Sequence, residues 1–203
     1  MIICYHGSPN LFKAFDLSKA GTGSGVKFGA AVSLSEAFDT AVHYCQPGDR
    51  PGGPHHEMAK DHYIYTVEIP DLTDDNHVFS LKPVHPNIIA RTEANLGQPV
   101  PQKMAQKGTE FLKWVGMARI GSKKVTVESK KAAAAFLDSI GVFCNAWPQA
   151  QAKPNGLRNF AVYDPAKIHI LKCEHIEIVR KGKKYVLVEG SRKEIKVNSK
   201  GGV

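Results

Sequence analysis

Near the start of the chain the apolar run Ile2-Ile3-Cys4-Tyr5 breaks at His6-Gly7-Ser8, which sets an imidazole and a hydroxyl together at the end of a buried strand. Tyr44-Cys45 closes a later segment, and Asn159 opens the apolar run Phe160-Ala161-Val162-Tyr163. His43, Cys45, His55 and His56 carry metal-ligating atoms, but their spacing fits no familiar ligand set, and no metal is expected. The four cysteines, Cys4, Cys45, Cys144 and Cys173, form no C-x-x-C pair and read as buried free thiols. Residues 21–25, Gly-Thr-Gly-Ser-Gly, do not lead from a strand into a clear helix, which argues against a dinucleotide-binding turn.

The elements that must hold these groups follow from patterning. Residues 62–69 are aromatic and β-branched and stop at Pro70-Asp71, the clearest strand signal in the chain. Short strands are expected at 78–81, 142–144, 160–163 and 168–173, and two alternating runs, 176–180 and 184–188, flank Lys181-Gly182-Lys183 as a hairpin. Helix is predicted from Pro86 to a stop at Gly97, over much of 102–120, and over 129–140 with Ser129 as its cap and Gly141 beyond its end. Trp114 is read as a core anchor. Residues 46–60 and 148–158 read as loops. Strands early, helices in the middle and strands late, with few β-α-β alternations, predict an α+β fold.

The chain has 203 residues, 42% of them hydrophobic, enough for one substantial core. One domain over 1–189 and a basic, disordered tail over 190–203 are expected. No apolar run reaches the roughly 18 residues a membrane span requires, and the N-terminus lacks a signal-like pattern, so a soluble, cytoplasmic protein with no membrane partner is expected. Lys plus Arg total 27 against 19 Asp plus Glu, a net charge of +8. Eight of the cations, from Arg180 to Lys200, lie near the C-terminus against Glu189 and Glu194 alone. Such a surface either favours a polyanion, nucleic acid first, or serves only solubility.

The order Tyr5-His6-Gly7-Ser8, Phe28-Gly29 and an ungapped run to Tyr44-Cys45, then Asn159-Phe-Ala-Val-Tyr-Asp-Pro-Ala-Lys-Ile168, resembles ADP-ribosyltransferases of the diphtheria-toxin and poly(ADP-ribose) polymerase type. Within that superfamily it is most similar to the small transferase domains of bacterial toxins and phage polyvalent proteins. The resemblance covers residues 2–45, 62–71 and 130–172. It implies a split β-sheet core with peripheral helices, NAD as substrate, and transfer of ADP-ribose to a macromolecule, with an antitoxin protein as a further partner. By the same resemblance His6 binds a ribose hydroxyl, Gly7 the nicotinamide amide through its backbone, and Tyr44 stacks on the nicotinamide ring, with Ser8 and Ser33 beside them. Read singly, His6 is equally a core histidine bonded to backbone, and Tyr44 a helix residue packed on a sheet.

Three residues depart from the family pattern. Ser33 replaces the central tyrosine, Ala41 replaces a serine that holds the nicotinamide amide, and Asn159 replaces the usual glutamate. A carboxylate at that last position stabilises the oxocarbenium-like state of glycosidic cleavage, and asparagine keeps the acceptor but not the charge. Asn159 then orients the ribose for a reactive acceptor, or Glu36 or Asp164 substitutes for it, or the domain binds NAD without turnover. Glu36 reads better as a surface helix residue and Asp164 as a turn residue. The basic hairpin and tail, with Lys181, Lys183, Lys184, Arg192 and Lys193, make nucleic acid the expected acceptor, RNA ahead of DNA. Protein-directed transfer and a non-catalytic NAD, ADP-ribose or nucleic-acid binding module are the alternatives.

Overall fold

The computed structural model describes residues 1–19, 27–46, 58–149 and 156–196. The glycine-rich residues 21–25, the pair His55-His56 and the end of the chain from 197 onward lie outside them.

The apolar start of the chain forms β1 (Ile2–Ser8), which does not stop at His6 as its polar residues suggest. It continues because β3 (His62–Ile69) pairs with it along its whole length, from Ile2↔Ile69 to Ser8↔Tyr63. Between them in sequence come β2 (Val32–Ser35) and α1 (Phe38–Tyr44). The middle of the chain supplies β4 (His77–Phe79), α2 (Pro86–Leu96), α3 (Gln102–Ala105), α4 (Gly108–Ile120) and α5 (Val127–Ser139). Strands return with β5 (Cys144–Pro148), β6 (Arg158–Val162), β7 (His169–Ile176), the hairpin β8 (Ile178–Lys181) and β9 (Lys184–Leu187), and β10 (Lys193–Ile195).

The fold is α+β, built on an eight-stranded mixed sheet of order β10-β7-β3-β1-β2-β6-β5-β4. Its pairings are antiparallel except that of β4 with β5. The sheet has two halves. β10-β7-β3-β1 and β2-β6-β5-β4 meet at one register pair, Tyr5↔Ser35, with no second pair between β1 and β2 among the described residues.

Strand alternation sends Cys4, Leu34, Tyr65, Val67, Phe160 and Val162 to one face, where Phe12 and Phe15 cover them. The other face carries Ile64 and Tyr5 under Ala41 and Val42 of α1 and Cys45 just past its end, with the β8–β9 hairpin packed beside them. A separate cluster joins α2, α4 and α5 around Ile88, Phe111, Val115 and Leu137. Gly116 lets α4 approach α5 closely, since a Cβ there would meet the Ser129 carbonyl.

One local expectation is corrected. The cap of α5 is Thr126, whose hydroxyl accepts from Ser129 N at 3.1 Å while Ser129 Oγ accepts from Thr126 N at 2.9 Å. This reciprocal capping box starts the helix earlier than a Ser129 cap would. Trp114 packs against the cluster of α2, α4 and α5, as a core anchor does, while its half-buried ring also lines an open depression of about 500 Å³ with Gln98, Met117 and Lys123.

The segment expected to be a disordered tail begins as structure. Residues 193–195 form β10, which pairs with β7 from Lys193↔His175 to Ile195↔Cys173. A short edge strand draws its stability from ladder hydrogen bonds and needs little apolar patterning of its own, so hydropathy gave no sign of it. Among the described residues, no helix is long and apolar enough to cross a membrane.

Candidate functional site

The split between β1 and β2 organises the candidate residues. At its mouth His6 Nδ1 lies 2.9 Å from the Ser33 carbonyl oxygen. A carbonyl only accepts, so Nδ1 carries the proton. Burial lowers the His6 pKa below the ordinary imidazole value, against the opposing effect of the Ser33 bond. The ring is therefore neutral at pH 7, and its Nε2 presents a lone pair. The ring is half-buried and packs edge-on to Phe15 at 5.1 Å and Phe12 at 6.0 Å. His6 thus stands on the face covered by residues 12–17.

Gly7 faces the other way. A Cβ at this position would meet the Ala41 carbonyl and the Cys45 sulfur, so α1 sits directly on the β1 backbone. The absence of a side chain thereby brings Tyr44, at the end of α1, to the same region. Tyr44 is 56% exposed, and its one ring neighbour among the described residues is His43 at 5.0 Å. Ala41, where a serine was wanted, is buried. Ser8 is buried too, and its hydroxyl accepts from Asn10 N at 3.0 Å, a turn-forming bond that ends β1. Ser33 is exposed in β2, opposite Ala161.

Asn159 lies in β6 as the register partner of Ser35 on one side and Trp147 on the other. Opposed residues of antiparallel strands share a face, so Tyr5, Ser35, Asn159 and Trp147 form one row on the α1 side. Asn159 is 9% exposed, and its side-chain amide makes no hydrogen bond among the described residues. The chain therefore gathers Gly7, Ser33, Tyr44 and Asn159 on one face. His6 it sets on the opposite face, with the split between them.

The two carboxylates that stood as substitutes for glutamate are both engaged. Glu36 lies between β2 and α1, outside any helix, and grips Arg158: Oε2 accepts from Arg158 N at 2.7 Å and Nε at 2.9 Å, and Oε1 from Nη2 at 2.6 Å. Asp164 accepts from Ala166 N at 2.9 Å in the turn after β6. Both oxygens of Glu36 are thus held by Arg158, and Asp164 serves the turn.

The basic residues separate into two groups. Lys181, Lys183 and Lys184 lie exposed around the β8–β9 turn, in a hairpin whose residues 178–187 include no acid. Lys193 is exposed on β10. Arg192 instead forms a two-point ion pair with Glu174, at 3.1 and 2.8 Å, and lies over the Phe38 ring at 4.7 Å. Glu174 is buried, and Arg192 with Lys172 holds its carboxyl below the usual range against the upward push of burial. Arg192 thus anchors β10 to the sheet and to α1.

All four cysteines are free and buried, and burial pushes Cys4 and Cys45 up to about 12. They are inert thiols at neutral pH. Among the described residues no cluster of His, Cys, Asp or Glu is disposed to hold a metal. Trp147, which no motif singles out, lies with its ring centroid 4.5 Å from that of Phe28, the first residue of the Phe28-Gly29 pair. Their proximity to Asn159 depends on a strand register that no local pattern announces.

No family model, curated protein or solved structure matches the chain.

Proposed function

We propose that this chain is an NAD-dependent ADP-ribosyltransferase that modifies nucleic acid, RNA ahead of DNA, in the manner of small toxin and effector domains. The observation that carries this reading is the single register pair, Tyr5↔Ser35, that joins β1 and β2 among the described residues, with a neutral His6 beside it. A sheet that opens between two central strands leaves backbone donors and acceptors unpaired at the gap, ready for a polar ligand. His6 Nε2 accepts from a ribose hydroxyl, the Gly7 backbone holds the nicotinamide amide, and the open Tyr44 ring supplies a flat apolar face for the leaving group.

In the transfer, the bond between ribose C1′ and the nicotinamide nitrogen breaks and nicotinamide leaves with the bonding pair. A lone pair of the acceptor forms the new bond to C1′, and the acceptor gives up a proton. Asn159 orients the ribose without adding a negative charge, so much of the rate must come from positioning the acceptor. The acid-free hairpin around Lys181, Lys183 and Lys184 supports a phosphate-bearing acceptor. Because Glu36 is bound to Arg158, a second reading is supported as well: a module that binds NAD or ADP-ribose without turning it over.

Incubation with NAD labelled in its ADP-ribose part, together with total RNA, DNA or lysate, tests the proposal. Label in RNA that survives protease treatment is the expected result. Label in no fraction, with NAD still bound in calorimetry, replaces the enzyme by the binding module, and label confined to protein replaces the acceptor.

A further inference from the structure

We propose that Phe28, Trp147 and Lys27 form a stacking platform for one base of a single-stranded nucleic acid, set directly beside Asn159. The platform names the acceptor-binding part of the site and, as a step in transfer, rests on the reading given above.

Trp147 is the register partner of Asn159 across β5 and β6, so the two side chains leave the same face at neighbouring positions. The Phe28 ring lies 4.5 Å from the indole at an angle of 36°, and Lys27 Nζ lies 5.1 Å from the Phe28 centroid and 6.0 Å from that of Trp147. Phe28 and Trp147 are half-buried and Lys27 is exposed. Half-buried rings with an ammonium over them leave aromatic surface and positive charge open to solvent at one place. The buried side chains of the sheet end at this row: Asn159 on one side of Trp147 is 9% exposed, while ring surface remains open at Trp147 itself.

Open aromatic surface beside a cation fits a nucleotide, since every base offers a π-face and its phosphate answers the ammonium. Charge elsewhere on this face gives the chain a path to the platform. The β8–β9 hairpin, with Arg180, Lys181, Lys183 and Lys184, docks on α1, where Tyr185 N donates to His43 Nδ1 at 3.3 Å. About one turn earlier on α1, Thr40 Oγ1 accepts from Gln149 Nε2 at 2.9 Å, which ties the helix to the end of β5 as well. Helix α1 therefore touches both the basic hairpin and the end of the strand that carries Trp147. From Tyr5 to Trp147 the sheet spans three strand separations, about 14 Å at roughly 4.8 Å each. A strand stacked on Trp147 would place its base beside Asn159, with the hairpin cations on the same side of the sheet as further phosphate contacts.

Chain fluorescence reads the platform without NAD. The protein has two tryptophans, so Trp114→Phe leaves Trp147 as the only indole. Titration of that variant with a single-stranded RNA of about 12 nucleotides is expected to quench the emission, and a duplex of the same sequence to quench it far less. In the otherwise unaltered chain, Trp147→Ala is expected to weaken RNA binding about tenfold, Trp147→Tyr to restore most of it, and Lys27→Gln to lower the salt slope by about one. NAD affinity of Trp147→Ala by calorimetry is expected to stay within about twofold. RNA binding without quenching, or equal RNA affinity for Trp147→Ala and the parent, overturns the platform; so does a loss of NAD affinity as large as that for RNA. Quenching in a protein that transfers no label retains the platform and removes the transferase reading, and label transfer without quenching does the reverse.

Discussion

The His6 imidazole donates from Nδ1 to the Ser33 carbonyl across 2.9 Å, bridging β1 and β2 where they have already ceased to pair. The bond sets the tautomer and leaves Nε2 as an acceptor in the neutral ring. His6→Ala is expected to weaken NAD binding about tenfold, the equivalent of a single net hydrogen bond of about 1.4 kcal/mol. Calorimetric titration reads this directly, and an unchanged dissociation constant takes His6 out of the site.

Acid is expected to destabilise the protein in a defined window. Burial is the chief cause holding His6, His43, His62 and His77 below the ordinary imidazole value of 6.5. As pH falls through 6.5 the unfolded chain takes up protons before the folded one. Stability from these groups is therefore complete above that value and is lost progressively below it, until the folded-state values are passed. Denaturation midpoints measured from about pH 7.5 down to about pH 5 are expected to fall, and His62→Gln to make the fall shallower. A flat profile would show that the four rings titrate alike in both states.

Gly7→Ala places a methyl group against the Ala41 carbonyl and the Cys45 sulfur. Backbone cannot yield there without lifting α1 from β1. A loss of about 1–3 kcal/mol is expected, measured by urea denaturation, together with weaker NAD binding because α1 carries Tyr44. A stable variant with parental NAD affinity would show that α1 can move without consequence for the site.

Asn159 is the most informative position for turnover. Asn159→Ala is expected to lower label transfer by about tenfold or more, and Asn159→Glu to raise cleavage of NAD by adding negative charge beside the developing cation. Equal turnover in all three proteins would remove Asn159 from the chemistry.

The C-terminal cations divide into phosphate contacts and an anchor. Replacing Lys181, Lys183 and Lys184 by Gln is expected to reduce RNA labelling and flatten its salt dependence without changing the melting temperature. Truncation from residue 190 removes β10 and leaves the buried Glu174 without Arg192, at an expected cost of about 2 kcal/mol. Truncation after residue 196 spares both. A chain cut at 190 that melts like the parent would show that β10 and the Arg192 pair contribute nothing.

Elements whose signals are local were legible from the residues. Strand β3 has the bounds that aromatic and β-branched residues before Pro70 predict, α2 runs from Pro86 to Leu96 and stops at Gly97, and the β8–β9 hairpin turns at Gly182. Each rests on side-chain periodicity, a cap or a turn residue within a few positions. The α+β class follows from the order of such elements. What tertiary structure alone decided was non-local. Pairing with β3 carries β1 through His6 and Gly7, and the same alternation then sends these neighbours to opposite faces. Register between distant strands places Trp147 beside Asn159, closes Glu36 onto Arg158 across more than a hundred residues, and turns Arg192 from a free cation into the partner of Glu174. Such contacts depend on which strands meet and in what alignment, a property of the whole sheet that no stretch of the sequence encodes by itself.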